Sequence, residues 1–192
     1  MEPEVRIADL VPEDGDAVVQ AAELLVEGFR EYWPEAWPDL DSALAEVRES
    51  FAPDRISLAA RDPEGRVVGW IGGIRQYDGL VWELHPLVVH AAHRRRGIAR
   101  ALVAALERRT ADAGGITLWL GSDDMSGQTS LGGVDLYPDV LGHLARIRNL
   151  RDHPYEVYQR LGFVITGVMP DASGPGRPDL FLAKRIGGDR AG

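Results

Sequence analysis

The chain contains no cysteine among its 192 residues. That excludes a disulfide framework, thiolate-held zinc and a covalent cysteine intermediate, so any group transfer must use another nucleophile. No apolar run approaches the roughly 18 residues that would span a membrane, and the opening MEPEVRIADL lacks the basic-then-apolar layout of a secretory signal. A soluble, cytoplasmic protein is expected. Basic residues are in deficit as well: 21 Lys and Arg face 30 Asp and Glu, for a formal net charge of −9. Phosphate backbones are bound by basic surface, so this balance opposes nucleic acid as the main partner and suits a cationic one.

The chain does have 45% hydrophobic content, ample for one core at this length and thin for two. One domain over residues 1–186 is expected, with the tail 187–192 disordered. The organising stretch is Val81 to Leu106, VWELHPLVVHAAHRRRGIARALVAAL. It opens as a strand with Trp82, Leu84, Val88 and Val89, crosses a polar turn at His90 to His93, and enters an apolar-periodic helix. The first turn of that helix is expected to be Arg94, Arg95, Arg96, Gly97, Ile98 and Ala99. Free N–H groups and the positive end of the helix dipole make such a start an anion site, and Gly97 and Ala99 keep side chains clear of it. A merely solvated basic helix start is the plainer alternative.

The remaining chain alternates strands and helices. Val5 to Ala8 reads as a strand, Pro12 to Asp16 as a turn and acidic helix start, and Val18 to Phe29 as the apolar run of that helix, which ends near Tyr32. Pro34 and Pro38 leave EYWPEAWPDLD as a loop rich in tryptophan and acid. Trp33 with Glu31, Glu35 and Asp39 could wall a cationic ligand, or Trp33 and Trp37 could cover the core edge while the acids face water. A helix from Asp41 to Phe51 follows. Arg55 to Arg61 and Arg66 to Arg75 form a hairpin across Asp62-Pro63-Glu64-Gly65, and Leu80 to Val89 extends it to a meander. A helix from Gly97 to Asp112 closes at Gly114-Gly115, ahead of a strand from Ile116 to Leu120. Residues 121–133 form a polar loop whose Asp123 and Asp124 miss the spacing of an EF-hand, so no metal is expected. Val134 to Leu150 is expected to be helical. A short helix begins at Pro154, and Phe163 to Met169 and Asp179 to Lys184 are the last strands.

Arg-x-x-Gly-x-Ala directly after a strand resembles the acyl-CoA-binding core of the GCN5-related N-acetyltransferases. The runs WELHPLVV, GGITLWLGSDD, NLRDHPYEVYQRLGF and GVMPDASGPGRPDLFLAK, with weaker YWPEAW and GWIGGIRQY, are similar to the aminoglycoside 6'-N-acetyltransferases, in their dimeric chromosomally encoded branch. The resemblance implies an α/β (α+β) fold with a mixed, mostly antiparallel sheet, splayed between its fourth and fifth strands and flanked by helices. It implies acetyl-CoA as cosubstrate, an aminoglycoside as acceptor and a homodimer. Leu87, Val88 and Val89 would pair with the pantetheine arm, Arg94, Arg95, Arg96, Gly97, Ile98, Ala99 and Arg100 would hold the pyrophosphate, and Tyr158 would approach the thiol. Many superfamily members carry Asn and Ala ahead of a Phe-Tyr pair in the last motif; Arg151 and Pro154 stand there, with Val157 for the Phe, so an Asn contact to the carrier is not carried over.

Without cysteine, the amine must attack the thioester directly. Alternation puts Val81, Glu83, His85 and Leu87 on one face, with Glu83 and His85 roughly 7 Å apart. Glu83 is the candidate base, or else a ligand for the substrate ammonium. His85 is a positioning group, and a local Glu83–His85 ion pair is the structural alternative. The Leu87 N–H, beyond the donor-less Pro86, is the candidate oxyanion donor, and Tyr158 is the candidate acid. Trp33, Tyr77, Glu83, Asp123 and Asp124 are the substrate-binding candidates, with Asp124 favoured over Asp123. Two other functions fit the same residues: acetylation of another cationic amine (a polyamine, a peptide N-terminus or a lysine), and a non-catalytic module that binds coenzyme A or drug.

Overall fold

A computed structural model describes residues 5–187, so of the tail expected to be disordered only Gly187 falls within the described residues. The described chain forms two compact units, 5–118 with 186–187, and Trp119–Arg185.

The first unit is an antiparallel meander with helices on both faces. Strands β1 (Arg6–Asp9), β2 (Arg55–Arg61), β3 (Val67–Gln76) and β4 (Val81–Val89) lie in the order β1-β2-β3-β4. The β2–β3 turn forms as its sequence requires: the Gly65 N–H donates to the Asp62 carbonyl at 2.9 Å, and the Asp62 carboxylate accepts from the backbone and side chain of Arg66, each at 2.8 Å. Helix α1 (Gly15–Phe29) starts at Asp14, which accepts from the Ala17 N–H, and buries Ala17, Val18, Ala21, Ala22, Leu24 and Leu25 at helical spacing. Helix α2 (Leu40–Glu49) is opened by a reciprocal Asp39–Ser42 capping box. Both pack on the sheet face that carries Ala59, Trp70 and Val88, where the Trp70 indole donates to Ser57 Oγ at 2.9 Å.

Helix α3 (Ile98–Asp112) covers the opposite face. The α-carbons of Gly69 and Gly73 turn toward Leu102 and Leu106 of α3, and any side chain there would collide with those leucines. The helix begins at Ile98, later than the expected first turn: Gly97, at φ +80°, is its N-cap, and Arg95 lies at φ +62° in the loop before it. Left-handed backbone cannot continue a right-handed helix, so Arg94, Arg95 and Arg96 precede the helix and do not form its first turn.

Strand β4 carries a bulge. Leu84 pairs with Gly73 and Leu87 with Ile71, so His85 and Pro86 together oppose Gly72. Directly opposed residues share a face, and alternation along β3 gives Ile71 and Gly73 the face of α3. Leu84 and Leu87 therefore both face α3, and the expected single face of Val81, Glu83, His85 and Leu87 is broken: Leu87 lies on the other side from Glu83.

Strand β5 (Thr117–Asp123) begins as the first unit ends and finishes three residues later than expected, which puts Asp123 at a strand end and not in a loop. In the second unit the order is β5-β7-β6, with β6 (Val164–Met169) antiparallel to β7 (Asp179–Arg185). The region expected to be helical is so only in part, with a 3-10 turn, Tyr137–Asp139, and a short α4 (Val140–Ala145) capped by Asp139. Helix α5 (Tyr155–Arg160) follows Pro154. No described helix is long and apolar enough to cross a membrane.

Candidate active site

In the first unit, Glu83 and His85 stand half-buried on β4 between the buried Trp82, Leu84 and Pro86. They do not pair with each other as the local ion-pair alternative required. Glu83 Oε2 accepts from Gln76 Nε2 at 2.6 Å. His85 Nε2 lies 3.7 Å from Glu46 Oε1 of α2, and its ring is tilted against Trp37 at a centroid distance of 6.0 Å. Trp37 is buried, edge-on to Phe29 at 4.7 Å, so it belongs to the core.

Of the loop candidates, Trp33 is half-buried and its N–H donates to the Phe29 carbonyl at 2.9 Å. The Asp39 carboxylate is committed to the cap of α2, and the Ser42 N–H holds its carboxyl below the usual range. Tyr77 is 75% exposed in a left-handed turn (φ +45°) directly after β3. Leu87, immediately past the bulge, is half-buried, whereas the Val88 side chain is buried beneath Gly28 of α1.

The loop ahead of α3 and the first turn of the helix present Arg94, Arg95, Arg96 and Arg100 to solvent around an exposed Gly97, with Ala99 half-buried and Ile98 turned into the core. Arg94 Nε donates to the Val89 carbonyl at 3.2 Å, tying the loop to the end of β4. The first helical bond is from the Ala101 N–H to the Gly97 carbonyl, so the preceding N–H groups are open to an anion. These residues fit a pyrophosphate.

In the second unit, Asp124 is fully buried. Its carboxylate accepts from the Gln128 N–H at 2.6 Å and from the Thr129 N–H and hydroxyl at 2.8 and 2.7 Å. The preference for Asp124 as a substrate ligand is thus corrected: its oxygens anchor the loop that follows β5. Asp123 is half-buried, with Oδ1 accepting from Ser173 at 2.7 Å. His153 is buried; its Nε2 donates to the Asp123 carbonyl and its Nδ1 accepts from the Tyr155 N–H. Burial holds the imidazole below its ordinary value, against the Asp123 carbonyl bond and the charges of Asp124 and Asp123. Tyr158, on α5, packs edge-on against Phe163 at 5.8 Å, and burial pushes its phenol up to about 12. A phenol held neutral is available as a donor across the physiological range.

Sequence reasoning missed Glu46 and Gln76. Glu46 has no local signal, since only tertiary packing brings α2 to His85. Gln76 lies inside GWIGGIRQY and ends a strand, but its type alone does not mark it.

An arginine-rich helix cap at the end of a bulged strand, with a carboxylate on that strand, is the arrangement of an acyl-CoA-dependent transferase. The chain belongs to the acetyltransferase (GNAT) family, which residues 20–130 match. Among solved structures, an aminoglycoside 6'-N-acetyltransferase complexed with coenzyme A is 40% identical over 94% of this chain and 97% of that one, with a TM-score of 0.85. The aminoglycoside 6'-N-acetyltransferase from Enterococcus faecium is 40% identical over the same shares, with a TM-score of 0.83. An aminoglycoside 6'-acetyltransferase type Ii is 35% identical over 94% and 97%, at 0.70. No curated protein matches the sequence.

Proposed function

We propose that the protein acetylates the 6'-amino group of aminoglycoside antibiotics, with acetyl-CoA as cosubstrate and without a metal. The observation that carries this is the 40% identity to an aminoglycoside 6'-N-acetyltransferase over 94% of the chain. Acetyl-CoA supplies an acetyl group on a thioester, a leaving group good enough for direct attack by an amine. The loop and first helical turn formed by Arg94, Arg95, Arg96, Gly97, Ile98, Ala99 and Arg100 hold the pyrophosphate, and the backbone of Leu87, Val88 and Val89 aligns the arm.

Glu83 draws in the acceptor ammonium and takes its proton, freeing the lone pair. The Leu87 N–H stabilises the developing oxyanion. The Tyr158 phenol, kept protonated by its burial, gives a proton to the departing sulfur. His85 helps to orient the acceptor, with Trp33, Tyr77 and Asp123 as further contacts. The protein works in the cytoplasm as one acetyltransferase domain per chain and as a homodimer, and confers antibiotic resistance.

The test is thiol release from acetyl-CoA with an acceptor panel of aminoglycosides with and without a 6'-amine, polyamines and basic peptides. Saturable release confined to 6'-amino aminoglycosides is expected. Release driven by polyamines or peptides would move the acceptor class, and tight acetyl-CoA binding with no release on any acceptor would leave a binding module.

A further inference from the structure

We propose that Gln76 is a positioning residue for the transfer, holding one oxygen of Glu83 so that the other is presented to the acceptor amine; this rests on the assignment of Glu83 above. Gln76 closes β3 opposite Val81, which makes it the diagonal neighbour of Glu83 on the same face. Its Nε2 reaches Glu83 Oε2 at 2.6 Å, and among the described residues no other hydrogen bond reaches that carboxylate. His85, the partner of Glu83 in the local ion-pair alternative, lies against Glu46 and Trp37 instead.

The chemistry of the donor matters. A lysine or arginine at position 76 would fix the carboxylate but cancel its charge, removing the attraction for an ammonium. An amide fixes it and leaves the charge in place. The support is rigid: directly after Gln76 the chain enters the left-handed turn at Tyr77 and Asp78, closed by the Leu80 N–H to the Tyr77 carbonyl at 3.1 Å and by Arg75 Nη2 to the Asp78 carbonyl at 2.6 Å. The amide therefore projects from a pinned strand end, and Glu83 loses its torsional freedom before the substrate arrives.

The experiment compares Gln76→Leu and the isosteric Gln76→Glu, alone and combined with Glu83→Gln, by kcat and acceptor KM at saturating acetyl-CoA, with thermal melts as the check on folding. A hydrogen bond to a charged group gives an expected loss in kcat of about tenfold to hundredfold for either single variant. For Gln76→Leu the acceptor KM should change less than about threefold, because the attracting charge of Glu83 is left as it was. In the Glu83→Gln background neither substitution should lower kcat further, since nothing is left to position. Equal losses in both backgrounds, or an effect confined to KM, would overturn the role of Gln76 alone. Wild-type turnover in Glu83→Gln would overturn the assignment of Glu83 and this inference with it.

Discussion

Replacing Gly72 with alanine tests how closely β4 approaches β3 at its bulge. A Cβ on Gly72 would lie 2.2 Å from the His85 carbonyl oxygen, where real Cβ contacts stay beyond 3.0 Å. The obstructing atom is backbone, so relief requires β4 itself to retreat by most of an ångström, at the residues flanked by Glu83 and Leu87. Overpacking by one methyl group costs about 1–3 kcal/mol where side chains can yield, and a rigid strand places this case near about 3 kcal/mol. For a protein of this length that is a fall in Tm of about 6–12 °C. The control is Gly15→Ala in the first turn of α1, where nothing lies within 4 Å of the added carbon; it should be neutral or gain up to about 1 kcal/mol. Thermal melts followed by circular dichroism read both. Thiol release well below either midpoint then asks whether displacing the His85–Leu87 segment also lowers kcat, and a loss of about tenfold or more is expected. A Gly72→Ala variant melting within a degree of wild type, with normal turnover, would refute the close approach and the active-site geometry built on it.

Asp124→Ala should destabilise strongly, by about 3 kcal/mol or more, because it strips the acceptor from two buried N–H groups and a hydroxyl; a stable variant with a raised acceptor KM would return Asp124 to the substrate. Tyr158→Phe should slow thiol release while leaving acetyl-CoA affinity near normal, and wild-type turnover would return Tyr158 to packing. The same variant should alter alkaline stability: the folded phenol sits at about 12 against an ordinary 10.0, so the folded state holds the proton longer. Wild-type stability should fall relative to Tyr158→Phe as pH rises from about 10 to about 12, by up to about 3 kcal/mol, and parallel profiles would remove the buried phenol.

The elements readable in advance are those fixed by short-range chemistry. The Asp62–Gly65 turn, the acidic start of α1 and its 3.6-residue spacing each depend on residues within one turn of one another, and they fall where the sequence places them. The arginine loop shows the limit of pattern without backbone geometry. A basic run leading into an apolar-periodic segment suggests a helix from Arg94, but Gly97 at φ +80° cannot lie within one. Glycine in such a run marks where the helix starts, and that glycine was the available signal. Asp123 and Asp124 were ambiguous for a different reason. A carboxylate that caps its own loop and one that faces a ligand have the same sequence context, and burial alone separates the fully buried Asp124 from the half-buried Asp123.

The strand that carries Glu83 was legible as a strand but not in its pairing, and the reason is metric. Residues two apart on a strand have β-carbons roughly 7 Å apart, so a direct Glu83–His85 ion pair requires both side chains to lean toward each other along the strand. A neighbouring strand or a helix lying over the face can bring a partner closer without that. Gln76 does so at 2.6 Å from β3 and Glu46 at 3.7 Å from α2. The bulge compounds this, since its cause, the missing side chain of Gly72, lies on β3 while its effect, the reversal that sends Leu87 to the face of α3, lies on β4. Glu83 and His85 could therefore be picked out as polar residues on an apolar strand, but what holds each of them, and which face carries the residue after the bulge, are properties of the pair of strands and of the helix above them.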